Sequence, residues 1–237
     1  MGGCGAHEVV IESPKHNVFL GCQPVEHVES LLKTIHFRYL DLMQNTHFQT
    51  VVIFKNHGEK AGTSLRHPHW QIIATPVVPR MFRLKHAVAA DYFDRTGDGL
   101  YSVLLSEELQ ERSRVVVEND RYAAVMPYAS RLPYETWVFP REHCASFGCL
   151  AGTDFLPLAE VLKTVLLKLY LELRNTAFNL TVNTAPRGDE DEKFFLWHMA
   201  VLPRLAQPAG FELGSGMAIN TVLPEDAAAR LRALKNG

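Results

Sequence analysis

Ser64-Leu65-Arg66-His67-Pro68-His69-Trp70-Gln71-Ile72-Ile73-Ala74-Thr75-Pro76 is the stretch on which the fold turns. It predicts a strand over 67–75 that ends at Pro76. Side chains two residues apart on a strand share a face, so His67, His69 and Gln71 converge on one side. Pro68 has no amide for a ladder, which places the segment at a sheet edge or at a strand start. Just upstream, Gly58, Gly62, Thr63 and Ser64 form a loop of small residues whose backbone can approach phosphate oxygens. Lys55, Lys60 and Arg66 face only Glu59 in this region, a local excess of positive charge suited to an anionic ligand.

Outward from this stretch, Val51 to Phe54 is a β-branched strand and Asn56 to Arg66 a loop. Val25, Val28, Leu32, Ile35, Tyr39 and Leu42 recur at the spacing of one helix face, giving a helix over 24–43. Val9 to Glu12 is a short strand stopped by Ser13-Pro14, and Met81 to Phe93 is helical. Asp94 to Leu100 turns polar and glycine-containing, the expected boundary between a half at 1–94 and a half at 95–237. Beyond it lie strands over 114–117, 122–126 and 136–139, a periodic helix over 155–173, strands over 178–182 and 195–202, a Gly-rich turn at 214–216 and a closing helix over 224–234.

The halves match in order. Val9 to His16 runs strand, Ser-Pro-x-His, helix, strand, loop and histidine-bearing strand; Trp137 to His143 opens the same series with Pro140-Arg141-Glu142-His143. His16 to His67 and His143 to His198 span similar lengths, the mark of an internal duplication. The second copy has two strands before its Pro-x-x-His turn that the first lacks. An α+β fold follows, with two such halves, antiparallel strands joined across a shared centre, and the first half truncated.

Composition sets the outer bounds. The chain has 237 residues, 47% hydrophobic and 21% charged, with 24 Lys plus Arg against 26 Asp plus Glu, a net charge of −2. That balance gives no general electrostatic case for nucleic acid or an anionic membrane. Neither a secretory signal at Met1 to His7 nor a membrane-length apolar run is present, so a cytoplasmic protein is expected. Four cysteines at irregular spacing predict reduced thiols, although Cys144 and Cys149 also admit a metal or redox pair.

A His-x-His strand has three readings: satisfied structural histidines, a metal-ligand pair, or a nucleophile. Neutral imidazole attacks phosphorus well near pH 7, and Gln71 with the Gly/Ser loop would supply neutral donors to the transition state.

Phe54-Lys55-Asn56-His57-Gly58 and Ala61 to Pro76 resemble the active-site segment of galactose-1-phosphate uridylyltransferases and their adenylyltransferase relatives, a branch of the histidine-triad superfamily. The resemblance continues through Pro127 to Trp137, Pro140 to His143, Asn183 to Pro186, Trp197-His198, Leu202 to Arg204 and Gly210 to Gly216. It implies a nucleotidyltransferase that moves UMP or AMP between a nucleoside diphosphate sugar and a sugar 1-phosphate or phosphate. His69 matches the nucleophile, Gln71 the glutamine that holds the nucleotidyl phosphate, and Asn56, Ser64 and Gly62 the nucleotide and phosphate contacts. His16 and His67 match two of four zinc ligands. His198 matches a second-half histidine that binds another metal in some members, but its partner position is Ala200, which favours a core or sugar-contacting role. Arg204 and Glu212 are the remaining sugar-contact candidates, or else a structural ion pair. A homodimer is implied, and no redox cofactor.

Two departures from the family pattern stand out. A segment bearing a Cys-x-x-Cys zinc pair precedes the Glu12-Ser13-Pro14 region in the family and has no counterpart here, leaving half the zinc set; Cys4 lies in an expected tail. Gly210 stands where hexose-binding members carry lysine, which leaves base and sugar open. A nucleotide-binding protein without turnover and a histidine-triad hydrolase are the alternative functions.

Overall fold

The structure is a computed structural model that describes residues 4–235, so Met1 to Gly3 of the expected tail lie outside the described residues. Eight strands form one antiparallel sheet: β1 (Ala6–Ile11), β2 (Thr50–His57), β3 (His69–Thr75), β4 (Val115–Glu118), β5 (Tyr122–Val125), β6 (Thr136–Pro140), β7 (Phe178–Asn183) and β8 (His198–Pro203). Their order is β1-β3-β2-β7-β8-β6-β5-β4. The halves therefore meet at the β2–β7 seam, where Phe54 pairs with Thr181 and Asn56 with Asn179. About that seam the strands mirror each other, β3 with β8 and β1 with β6. Outside β6 stand β5 and β4; β1 is an edge strand among the described residues.

Helix α1 (Val25–Gln44) and helix α4 (Phe155–Leu173) pack together on one face of the sheet. The i, i+3, i+4 apolar row of α1, including Val28, Leu32, Ile35 and Tyr39, meets Ile53, Trp70 and Ile72 in the main core. Removing a side chain such as Ile72 from water stabilises the fold by about 2–3 kcal/mol. Two helices of this layer end on side-chain caps. The Arg187 guanidinium donates to the carbonyls of Met43, Asn45 and Phe48 at the end of α1. Lys168 Nζ donates to Leu231 and Leu234 oxygens at the end of α6 (Pro224–Ala233). In each case a cation meets the carbonyl-rich, partially negative end of a helix.

Two more helices, α2 (Arg80–Thr96) and α3 (Leu100–Glu111), cover the other face of the second half only. Ala89, Tyr101 and Leu105 pack there with Ala123, Val125, Phe139 and Phe195. The polar stretch expected as a boundary is thus the link between two packed helices, and α2 joins the second half's core. Among the described residues no helix is long and apolar enough to cross a membrane. The side chains of Cys144 and Cys149 meet beside the Ser146 carbonyl oxygen, while Cys4 and Cys22 are free and exposed.

Candidate active site

Strand β3 begins at His69, one residue after Pro68, and lies between β1 and β2. The strand-start expectation therefore holds and the sheet-edge one does not: a proline at the entry leaves every later amide free to pair on both sides. His67 sits before the strand, and its ring turns to the Ser13-Pro14 segment instead of sharing the His69 face. Its Nε2 lies 2.6 Å from Ser13 O and its Nδ1 2.9 Å from His16 Nδ1. Since a carbonyl only accepts, His67 Nε2 carries the proton and Nδ1 presents a lone pair toward His16. That is the orientation a backbone carbonyl gives to a metal-ligating histidine. The pair nevertheless supplies two nitrogens only, and among the described residues no group of three or more His, Cys, Asp or Glu side chains is arranged for a metal. Structural zinc takes four protein ligands, so this donor set does not by itself fit one.

His69 is 5% exposed, and its Nδ1 lies 2.8 Å from the carbonyl oxygen of His67. Again the carbonyl can only accept, so Nδ1 holds the hydrogen and Nε2 keeps its lone pair. Lys55 pairs with Trp70, which sets Asn56 beside His69 on the adjacent strand, and Gln71 follows two residues on along the same face. Gln71 Oε1 takes a hydrogen bond from His7 Nε2 at 3.0 Å, across the β1–β3 pairing. Asn56 Oδ1 takes one from Asn179 Nδ2 at 2.7 Å. Both carboxamides therefore have their oxygens engaged, which leaves their NH2 groups as the donors available to a ligand.

The small-residue loop is built on two glycines. Gly58 (φ +81) approaches Ala177 so closely that an added Cβ would stand 2.7 Å from the Ala177 methyl. Gly62 (φ +83) closes the 59–61 turn in the left-handed region, where its amide donates to Glu59 O at 2.9 Å. Gly62 thus shapes the turn, with its own amide already engaged. Ser64 and Arg66 beyond it are exposed, and Ala61 O is tied down by Asn179 Nδ2 at 2.9 Å. Beneath this region Lys55 and Glu12, both almost fully buried, form an ion pair at 2.5 Å that locks β2 to the end of β1. The positive charge assigned from sequence to Lys55 is thereby neutralised within the fold.

In the second half, His198 opens β8 as His69 opens β3, with its Nδ1 3.0 Å from Leu196 O. This corrects the repeat alignment by two residues: His198 is the counterpart of His69, and Leu196 that of His67. The setting differs, however. His198 is fully buried among Tyr101, Trp137 and Phe139, and burial pushes its pKa down to about 3. Its Cα partner Asn183 accepts from Lys85 Nζ at 2.5 Å, and burial pushes that lysine's pKa down as well. Helices α2 and α3 thus seal the second copy of the site.

Arg204 and Glu212 do not meet as an ion pair. Arg204 Nε donates to Asn179 Oδ1, while Glu212 Oε2 accepts from the Ala209 amide at 3.1 Å and caps the short helix α5 (Gly210–Ser215). Asn179 and His7 were not singled out from sequence. The signal for Asn179 was present in Phe178-Asn179-Leu180-Thr181-Val182-Asn183, where polar residues alternate along a strand and mark one face as non-core.

A histidine with a directed Nε2 and two oriented carboxamides thus stands at the strand entry of the first of two fused half-sheets. The family described as "Galactose-1-phosphate uridyl transferase, C-terminal domain" matches residues 85–237, and the "Domain of unknown function (DUF4931) N-terminal domain" matches residues 5–78. The chain belongs to the galactose-1-phosphate uridylyltransferase family. It is 31% identical to the ADP-glucose phosphorylase of Arabidopsis thaliana over 97% of its own length and 65% of that protein's. Against the galactose-1-phosphate uridylyltransferase of Thermotoga maritima it is also 31% identical, over 96% of this chain and 74% of the relative. The crystal structure of the Arabidopsis thaliana ADP-glucose phosphorylase with bound ADP-glucose superposes with a TM-score of 0.90 at 30% identity, covering 98% of this chain and 74% of that one.

Proposed function

We propose that this chain transfers a nucleotidyl group, UMP or AMP, between a nucleoside diphosphate sugar and a sugar 1-phosphate or phosphate, through a covalent adduct on His69. The observation that carries this reading is the His69 Nδ1–H bond to its own strand's entry carbonyl, which leaves the Nε2 lone pair beside Asn56 and Gln71. In the first step Nε2 attacks the α-phosphorus; the bond to the sugar-phosphate oxygen breaks and its electron pair leaves with the sugar 1-phosphate. The ring becomes positively charged as the P–N bond forms, and the His67 carbonyl stabilises that charge through Nδ1–H. In the second step an acceptor phosphate oxygen attacks the same phosphorus, and the P–N electron pair returns to His69. The Gln71 and Asn56 NH2 groups, with the Ser64 hydroxyl, stabilise charge on the non-bridging oxygens.

One related protein is named for ADP-glucose and the other for uridylyl transfer with galactose 1-phosphate, which supports the donor class and leaves the base open. Zinc enters this proposal only as a weak site at His16 and His67. A homodimer of galactose metabolism is part of the same reading. It is supported by a half-exposed apolar row formed by Val77 and the α2 residues Met81, Leu84 and Val88. Intact-mass spectrometry after incubation with UDP-glucose, UDP-galactose and ADP-glucose tests the proposal. A nucleotidyl increment on the protein that a sugar 1-phosphate or inorganic phosphate discharges is expected; absence of any increment with all three donors refutes it. Discharge by water alone, at the same rate without acceptor, would instead favour hydrolysis.

A further inference from the structure

Asn179 lies on β7, directly across the seam from Asn56. Its carboxamide is used on every side. Nδ2 donates to Asn56 Oδ1 at 2.7 Å and to Ala61 O at 2.9 Å, and Oδ1 accepts from Arg204 Nε. Arg204 is itself fixed by its backbone amide, which donates to Ala177 O at 2.8 Å. One second-half side chain therefore holds two first-half elements, the strand that bears Asn56 and the base of the 62–64 loop. An asparagine amide can turn over, exchanging its donor and acceptor ends at little cost unless a neighbour fixes it. Because Asn179 offers Asn56 only N–H, the Asn56 oxygen must face the seam and its NH2 must face the His69 side.

We propose that Asn179 is a positioning residue of the nucleotidyl-transfer site, setting the Asn56 NH2 and the 62–64 loop toward the phosphate. The proposal rests on the function given above. The Arg204 guanidinium strengthens the arrangement, since a charged donor on Asn179 Oδ1 polarises its amide and sharpens donation from Nδ2. Arg204 thereby acts on the phosphate site through Asn179, a route separate from any contact with sugar.

The discriminating variant is Asn179→Asp, nearly identical in shape. The carboxylate keeps its bond to Arg204, so the seam is retained, but it cannot donate to Asn56 or to Ala61 O. Asn56 must then turn its NH2 toward the new carboxylate and away from the ligand. Two readouts are compared across wild type, Asn56→Ala, Asn179→Asp and the double variant. These are the affinity for UMP and for AMP by calorimetry, and the single-turnover rate of adduct formation at saturating UDP-glucose and ADP-glucose. Each single variant is expected to lose about ten- to a hundredfold in rate, and the double variant clearly less than the product of the two losses, because part of the Asn179 effect passes through Asn56. The same non-additivity is expected in nucleotide affinity. A purely structural role would give losses that multiply in the double variant, and that result, or wild-type behaviour of Asn179→Asp, overturns the proposal. If wild type binds UMP or AMP without forming an adduct, the transfer chemistry falls, and non-additive affinities still sustain the positioning role. If wild type binds neither nucleotide, both fall.

Discussion

His69 donates its Nδ1 hydrogen to the carbonyl of His67 at 2.8 Å, two residues back along its own chain. The bond fixes the ring and its tautomer together, so the nitrogen that keeps its lone pair is set by backbone geometry at the strand entry.

His69→Ala is accordingly expected to abolish the nucleotidyl adduct while changing unfolding free energy by less than about 2 kcal/mol, since the ring contributes one hydrogen bond and modest packing. Intact mass and urea unfolding measure the two effects. A variant that accumulates nucleotidyl-protein at the wild-type rate would remove His69 from the mechanism.

His7 holds Gln71 by its amide oxygen at 3.0 Å. His7→Ala frees that amide to turn, and the rate of adduct formation should fall about three- to tenfold, the scale of one neutral hydrogen bond. His7→Gln, which retains a donor, should recover part of the loss. Single-turnover mass spectrometry with the preferred donor is the check, and equal rates in all three proteins would leave His7 without this role.

The buried Lys55–Glu12 pair ties β1 to β2 under the site. Breaking it from one side leaves an uncompensated charge in the core, so Lys55→Met alone should cost about 3–5 kcal/mol of stability. The double change Lys55→Met with Glu12→Leu should recover most of that loss. Chemical denaturation of wild type, Lys55→Met, Glu12→Leu and the double variant gives the coupling energy, and a single variant as stable as wild type would contradict the pair's burial.

Stability should fall on the acid side, and His198 provides the clearest part of the slope. An unfolded histidine titrates near 6.5, whereas burial holds the folded one at about 3. Below 6.5 the unfolded chain takes up a proton that the folded chain refuses. This contribution is therefore complete above 6.5 and lost as pH falls toward 3, at about 1.4 kcal/mol per pH unit. His36, His57 and His86 are also lowered by burial and add in the same direction. Urea unfolding at about pH 7 and about pH 5 should show His198→Leu with a shallower dependence than wild type; an unchanged slope would mean that His198 is protonated in the fold.

With His16 and His67 the only pair of ligands brought together among the described residues, zinc should be held in less than one equivalent per chain after dialysis against a chelator. Elemental analysis that finds one tightly retained zinc would require further ligands and redirect attention to Cys4.

Much of this was legible in the amino-acid order. Helix α4 falls on the residues its periodicity marks, because nineteen residues of one-sided apolar spacing leave little room for another reading. Helix α3 was missed. Its buried strip is only Tyr101, Leu105 and Glu108, and the glycines at 97 and 99 make the region look like a linker. Likewise Gly214 and Ser215, expected in a glycine-rich turn at 214–216, end a helix over Gly210–Ser215 that is held at its start by the Glu212 side chain. The candidate nucleophile and its two carboxamides are local in sequence and could be read. Their supports at His7 and Asn179 arrive from strands far away in the chain, where pairing register alone decides the contact.

The β2–β7 seam also orders the birth of the molecule. Phe54 finds its partner only when Thr181 has been made, and the hold on the 62–64 loop waits for Asn179 to arrive on the same strand. An emerging chain therefore carries its histidine strand with one flank of β2 bare until β7 (Phe178–Asn183) is made. Pairings of such long sequence separation are slow to close, and an unpaired strand edge invites association with other chains in the interval. The second half's support for the His69 strand is thus acquired late, and a ribosome-stalled fragment ending before residue 178 should expose that flank to chaperones.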